Sequence, residues 1–521
     1  GLAQGNRVRD GLRDGVTNAL IVLGEGFLAH PANNALRKAL QDGSLIRDDF
    51  FQQLMRLIYR FLFLFTVEER GILHTQEDNP SAMAARIIYS EGYSLHRLRD
   101  RALRRVGYDT YSDLWESVSI VFKGLANGEQ RLALPPLGGL FHPHQCPDLD
   151  ACVLANQALL NAMYNLRWSQ IGGVLSPVDY RNMGFEELGS VYESLLELVP
   201  DIDLTARTFT FIGLTGQGAT AGNVRKTTGS YYTPDSLVNE LIRSALDPLI
   251  EDRVKTHAEA PVDAILNITV IDPASGSGHF LLAAARRLAE KLAEIQAGGE
   301  AVSVADYRHA LHQVISRCIF GVDRNPLALE LARTALWLEG YEPGQALSFL
   351  DHHLVCGDAL LGLMDLKQLA NGIPDDAYKQ LSGDEKEMCR ELAKRNKAAR
   401  KKLETMLHGP DLFDPSEWKD TFKEVLAIED MPDETPEEYA AKEHAWLEAL
   451  ARSEESPLAH CADMFLGAFL MPRAGAEAPA KTPTTENILK ERFGHEHTLE
   501  HEACIRSAKE ACEQARVLHW F

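Results

Sequence analysis

Apolar positions recur at helical spacing early in the chain. The stretch DDFFQQLMRLIYRFLFLF, from Asp48, predicts an amphipathic-to-buried helix. It runs into the longest apolar segment, LMRLIYRFLFLFTVEERGIL from Leu54. Arg56 and Arg60 interrupt that segment, and Glu68, Glu69 and Arg70 close it. It reads as too short and too charged for a membrane span and as a core helix instead. DYRNMGFEELGSVYESLLELVP, from Asp179, predicts a further helix stopped by Pro200. Between the two, PPLGGLFHPHQCPDLD is dense in Pro and Gly and predicts a loop. Residues 203–213, DLTARTFTFIG, alternate polar and apolar positions and predict a strand or hairpin. A flexible basic loop, GQGATAGNVRKTTGS from Gly216, follows.

From Asn267 the rhythm changes. The strand NITVID precedes the helix HFLLAAARRLAEKLAEI. The helix VADYRHALHQVISRC, the strand IFGVD, the helix PLALELARTALWLEG and the strand HHLVCGD then succeed one another. Strand–helix alternation is the mark of an α/β fold, a parallel sheet with helices on both faces. After Gly362 charged helical patterns return, over residues 376–407, 434–471 and 497–518. The loop MPRAGAEAPAKTPTTEN divides them. The pattern predicts three parts: a mostly helical N-terminal domain over 1–200, a parallel-sheet domain over 201–365, and a helical insertion over 366–521.

Charge and cysteine usage narrow the setting. A formal net charge of −22 excludes a wholly basic, histone-like protein, so any DNA-binding surface must be local. The eight cysteines are scattered without a CxxC pair, which fits a reduced, cytoplasmic protein. His142, His144, Cys146 and Cys152 lie close in sequence, but their spacing matches no common zinc module, and no metal site is expected there. The N-terminus carries no signal-peptide pattern, and no membrane association is expected. The first residue is Gly1 rather than Met, and the chain is read as beginning within a longer protein.

The candidate chemistry sits at the ends of the three strands. In VIDPASGSGHF, Asp272 ends the first strand, and Gly276 and Gly278 stand where the chain must turn into a helix. Glycine lets the backbone turn tightly and a ligand approach closely. The dinucleotide fingerprint would need a third glycine and a phosphate loop would need GK[ST]; neither is present. Asp323 ends the second strand, in IFGVDRNP, where a carboxylate can accept both hydroxyls of a ribose. Asp358 ends the third, in VCGDALLG, where it can take an exocyclic amine while Ala359 and Leu360 flank a flat ring. One acid at a strand end is usually a cap. Three at successive strand ends overturn that reading. Upstream, Thr233-Pro234-Asp235 starts a helix directly after Tyr231 and Tyr232.

These stretches resemble the S-adenosylmethionine-binding motifs of adenine-N6 DNA methyltransferases. SYYTP resembles the motif ahead of the sheet, DPASGSGHF the glycine loop, VDRNP the ribose-binding acid and GDAL the adenine-binding acid. The likeness is nearest to type IIG restriction–modification enzymes and to the methylases of BREX and DISARM phage-defence systems. It is strong over roughly residues 180–362 and weaker over the helical flanks. It implies a Rossmann-like methyltransferase fold with S-adenosylmethionine as cofactor and double-stranded DNA as partner. Restriction or phage-defence proteins are further partners it suggests. By the same likeness the cofactor-binding residues are Tyr231, Tyr232, Thr233, Asp272, Ala274, Ser275, Gly276, Gly278, Phe280, Asp323, Asn325, Asp358 and Ala359.

That family transfers its methyl group with an Asn/Asp-Pro-Pro-aromatic tetrapeptide. No such tetrapeptide occurs among these 521 residues. The terminal HWF resembles the segment shortly before it. The expectation is a fragment that binds cofactor but does not methylate DNA by itself. The alternative is a methylase-like scaffold that binds DNA or protein without chemistry. No convincing Asp…Glu-x-Lys nuclease set occurs in residues 1–200, so Mg²⁺ would be needed only by a nuclease outside this chain. Two basic clusters remain, RLRDRALRRVGYD from Arg97 and KRNKAARKK from Lys394. The second is the better DNA-contact candidate, through Lys394, Arg395, Lys397, Arg400 and Lys401.

Overall fold

The computed structural model describes residues 2–74, 79–171, 174–182, 195, 198–212, 233–406, 416–475, 478–494 and 498–520. Among these residues the fold is mostly helical, with three small sheets. By its contacts the chain divides into two compact units. The first comprises Gly1–Gly321, Asn325–Leu354 and Pro432–Ala440; the second comprises Val322–Arg324, Val355–Met431 and Ala441–Phe521.

The first unit is organised around helix Arg47–Arg70. By length and composition alone this helix could cross a bilayer; what makes it a core helix is that 89% of its apolar window is buried inside the protein. Its aromatic side chains meet others edge-on or tilted, Phe63 against Phe141 and Tyr341, and Phe65 against Tyr180. Arg60, which breaks the apolar pattern, is fully buried. Its guanidinium donates to the Leu140 and His142 carbonyls, pairs with Asp150 at 2.7 Å and lies 5.1 Å over the Phe122 ring. A buried cation persists only where its donors are satisfied, and here the Pro/Gly-rich segment satisfies them. That segment is not a surface loop. It folds through short turns at Gly139–Phe141 and Pro143–Gln145 and a helix at Pro147–Asp150, with Leu140, Phe141, Cys146 and Leu149 buried. Cys146 points its thiol at the Gln53 carbonyl, and burial pushes that thiol up to about 11.

Strands β1 (Trp168–Ile171) and β2 (Val174–Pro177) form an antiparallel hairpin that the helical reading of residues 1–200 did not anticipate. Of the helix expected over 179–200, residues 183–194, 196 and 197 lie outside the described residues and residues 179–182 are not helical; the basic loop from Gly216 lies outside the described residues entirely. The predicted hairpin is present as β3 (Pro200–Asp203) and β4 (Thr208–Phe211), starting three residues earlier than the alternation suggested. Phe209 and Phe211 are buried, and Phe209 fills the space beside Gly24, where a Cβ would sit 2.5 Å from its ring.

The central sheet has three strands, β5 (Val270–Asp272), β6 (Ile319–Asp323) and β7 (Leu354–Cys356), in the order β5-β6-β7. β5 pairs with β6 in parallel, Asp272 opposite Gly321. Gly321 N donates to His353 O, and Gly357 N to Asp323 O. The sheet is smaller than the sequence implied: β5 spans three residues rather than the six of NITVID, and Asp358 lies two residues beyond β7 rather than at its end. Helix Val304–Cys318 opens with a capping box of Ser303 and Asp306, and helix Pro326–Gly340 with Asn325 and a first-position proline. Eleven of the fifteen residues of Pro326–Gly340 are buried, including Glu330 and Arg333. Arg56 reaches Glu330 at 2.9 Å, and Arg333 bonds both Glu330 and Asp351 at 3.0 Å. Burial pushes the Glu330 carboxyl up, but Arg333 and Arg56 outweigh it and hold the carboxyl below its ordinary range.

The second unit has its own core of Leu363, Leu369, Ile373, Tyr378, Leu392, Met464 and Ile488, among others. Helix Lys386–Met406 buries Leu392, Asn396, Ala399 and Leu403 at helical spacing. Asn396 donates to the Ile373 carbonyl, and its oxygen accepts from both the backbone and the hydroxyl of Thr485. The segment expected as a loop, MPRAGAEAPAKTPTTEN, contains a short helix, Ala478–Lys481, and the start of another, Thr485–Phe493. Arg473 within it is buried: its guanidinium pairs with Asp384 at 2.8 Å and donates to the Ala468 and Ala377 carbonyls.

Candidate functional site

The turn after β5 is built around two glycines in the left-handed region. Asp272 Oδ1 accepts from Ala274 N at 3.0 Å, which bends the chain away from the strand. Gly276 follows at φ +53° and Gly278 at φ +86°. Gly278 N donates to Ser275 O at 2.8 Å and closes the turn, and helix His279–Gln296 begins at the next residue. The two glycines serve different ends. A Cβ on Gly278 would lie 3.0 Å from Ala332 Cβ and 3.2 Å from Ala332 Cα, so this glycine lets the turn seat against helix Pro326–Gly340. A Cβ on Gly276 would meet nothing within 4 Å. Its side faces open space, as a site for a ligand requires. The Ser275 hydroxyl is buried and has no hydrogen-bond partner among the described residues. Such a group costs free energy unless something binds it.

Substituting the two glycines should therefore separate fold from site. Gly278→Ala is expected to lose about 2–3 kcal/mol of stability in denaturant titration, from left-handed strain plus the Ala332 contact. Gly276→Ala should lose only about 1 kcal/mol. Equal losses would contradict this division.

Gly321, unremarked in the sequence, is a third required glycine. A Cβ there would sit 2.8 Å from Leu281, 3.0 Å from Leu354 and 3.1 Å from Ser275. It keeps β6 close beneath the turn.

The structure places the other predicted residues as follows. Ala274 is exposed; Asp272 and Phe280 are half-buried. Tyr231 and Tyr232 lie outside the described residues. Thr233 is half-buried, and the helix after it begins at Asp235 as expected, although no side chain caps it. Asp323 is the last residue of β6 and half-buried. Asn325 Oδ1 accepts from Leu327 N at 3.0 Å, so its observed role is to cap helix Pro326–Gly340. In the second unit, Asp358 Oδ1 accepts from Leu360 N at 3.0 Å and Oδ2 lies 3.7 Å from Arg324. Asp358 N donates to Arg516 O at 2.7 Å, and Ala359 O accepts from Trp520 Nε1 at 3.1 Å. Residues 516–520 run beside 358–363, with Leu518 N bonded to Leu361 O and Trp520 N to Leu363 O. Sequence gave no sign of this pairing. Gly357 and Gly362 are its trace, since a Cβ on either would collide with Leu518.

Residues 252–367, which contain the turn, all three strands and the acids at or just beyond their ends, match the family described as MmeI, DNA-methyltransferase domain. The match places the likeness to a DNA-methyltransferase domain on this stretch. A protein of Methanocaldococcus jannaschii described as a type II restriction enzyme and methyltransferase is 24% identical over 277 residues, covering 45% of this chain and 21% of that relative. The chain thus spans about a fifth of the length of the curated relative it matches. The methyltransferase domain carries the likeness to a type IIG-like methylase that the motifs suggested.

Among the predicted DNA-contact residues, Lys394, Lys397 and Lys401 are exposed on helix Lys386–Met406. Arg400 is tied down, 3.5 Å from Asp375 and bonded to Asn371 O, and Arg395 is half-buried. The cluster from Arg97 is structural in part: Arg99 is buried, pairs with Glu69 and lies 4.7 Å over the Phe65 ring.

Proposed function

We propose that the chain is the cofactor-binding portion of an S-adenosylmethionine-dependent adenine-N6 DNA methyltransferase, from a restriction–modification or phage-defence system. The observation that carries this reading is the glycine turn. An open face at Gly276 stands beside the buried, unpartnered Ser275 hydroxyl and is followed in sheet order by acids at or just past two further strand ends. A nucleoside with a charged amino-acid tail suits that donor and acceptor set. Asp272, Ala274, Ser275, Gly276, Gly278 and Phe280, with Tyr231, Tyr232 and Thr233, would hold the methionine end. Asp323 would accept the ribose hydroxyls and Asp358 the adenine amine, with Asn325 and Ala359 shaping their turns. When bound, the cofactor supplies an electrophilic methyl group on a sulfonium. The part this chain's residues play is to bind and orient that nucleoside. Residues 1–200 and 366–521 would flank the domain as helical additions, and double-stranded DNA would be the macromolecular partner.

Calorimetry of the chain with S-adenosylmethionine tests the reading. Saturable binding is expected; the absence of heat over the millimolar range would refute it.

DNA contact is a second element of the proposal. Lys394→Glu, Lys397→Glu and Lys401→Glu together should weaken binding to a mixed-sequence duplex about tenfold at low salt. The slope of log affinity against log salt should fall by up to about three. Unchanged affinity and slope would remove this helix from the DNA surface.

A further inference from the structure

Helix Asp235–Leu241 is held to the first unit by little packing. Val238 is its one buried residue, and Leu237 and Leu241 are exposed. It continues into a π-helical stretch, Ile242–Leu246, a wider and weaker winding often found at functional sites. Between it and helix His279–Gln296 lies a cavity of about 200 Å³, lined by Asp235, Val238, Asn239, His279 and Ala283 among others. Across this loosely filled space a polar contact joins the two helix starts: His279 Nε2 lies 3.1 Å from Asp235 Oδ1. The histidine side chain is 12% exposed and the aspartate 51%.

The position of this contact gives it consequence. His279 directly follows Gly278, so it is fixed to the glycine turn. Asp235 lies two residues after Thr233, a span of about 7 Å at most. Holding Asp235 against His279 therefore limits where Thr233 can lie relative to the turn. The neutral imidazole can make the bond by donating its Nε2 hydrogen, so no protonation is required.

We propose that His279 is a positioning residue that latches the Thr233–Asp235 segment to the glycine turn and so completes the part of the site that receives the amino-acid tail of the cofactor. The inference rests on the cofactor reading above. It adds a residue that contacts no ligand but governs recognition of the ligand's methionine moiety.

The test compares two ligands by calorimetry, S-adenosylhomocysteine and 5′-methylthioadenosine, which lacks the amino-acid tail. His279→Ala and Asp235→Ala are each expected to weaken S-adenosylhomocysteine about tenfold, as for loss of a hydrogen bond to a charged group. The double variant should be no weaker than the worse single one, because both remove the same contact. Binding of 5′-methylthioadenosine should stay within about twofold of wild type, and His279→Gln, whose amide can donate to Asp235, should recover most of the loss. Hydrogen exchange supplies a readout independent of ligand: in His279→Ala, amides of Asp235–Leu241 should exchange faster while those of His279–Gln296 do not. Unchanged exchange together with unchanged S-adenosylhomocysteine affinity would overturn the latch. So would equal losses for both ligands, which would mark a general structural role. Wild-type protein that binds neither ligand would instead refute the cofactor reading itself.

Discussion

Asp323→Ala is expected to reduce S-adenosylmethionine affinity by a hundredfold or more, to the edge of detection in a calorimetric titration. A carboxylate at the end of β6 can accept both ribose hydroxyls, and hydrogen bonds to a charged acceptor contribute about 1.5–3 kcal/mol each. The fold should survive the change. Its carbonyl accepts from Gly357 N at 3.0 Å, and alanine keeps that bond. Asp323→Asn, which retains one acceptor oxygen, should fall between wild type and alanine. Affinity undiminished in Asp323→Ala would remove the ribose role, whatever the wild type binds.

The largest expected effect on stability lies elsewhere. Arg473→Met should destabilise the second unit by about 3–5 kcal/mol, because it leaves a buried carboxylate without its cation. Asp384 accepts from the Arg473 guanidinium and backbone and from Leu381 N, and its side chain is 4% exposed. The Ala468 and Ala377 carbonyls would lose their donor as well. Burial pushes the Asp384 carboxyl up, but the Arg473 and Leu381 bonds prevail and hold it below 3.8. The contribution of the pair is therefore fully present above pH 3.8 and is lost as pH falls through the depressed value. Denaturant unfolding, followed by hydrogen exchange in helix Pro457–Leu470, would register the loss. Arg473→Met with Asp384→Leu should recover much of it. A single variant as stable as wild type would show that the pair bears no load.

The elements that were legible in sequence are those whose ends are chemically marked. Helices Val304–Cys318 and Pro326–Gly340 and strand β6 fall where the pattern set them, because Ser303 with Asp306, and Asn325 with Pro326, fix the helix starts. The alternation of residues 203–213 likewise announced the hairpin of β3 and β4. What was not legible depends on partners distant along the chain. The burial of the Arg60 and Arg473 guanidinium groups follows from the carbonyls around them, which local pattern does not reveal. The Pro/Gly-rich segment from Pro135 has loop composition but is buried, because Arg56 and Arg60 bond its backbone. The glycine turn was read correctly as a turn. The different demands on Gly276 and Gly278 emerged only with Ala332 in place. Asp358 was assigned to a strand end but lies beyond β7, and neither its backbone bond to Arg516 nor the nearby Trp520 could be inferred from local pattern.

The burial of helix Pro326–Gly340 bears on how this domain can be handled as an object. The family match draws a border at residues 252–367. Physically the border is elsewhere: Arg56 reaches Glu330 from the long N-terminal core helix, and Leu347 N bonds the Leu137 carbonyl. Excising the matched stretch would bare the apolar flank of that helix to water and strand Glu330 and Arg333 without part of their support. A piece cut for study should therefore carry the segment from Arg47 to Asp150 with it, because that segment supplies Arg56 to Glu330 and the Leu137 carbonyl to Leu347.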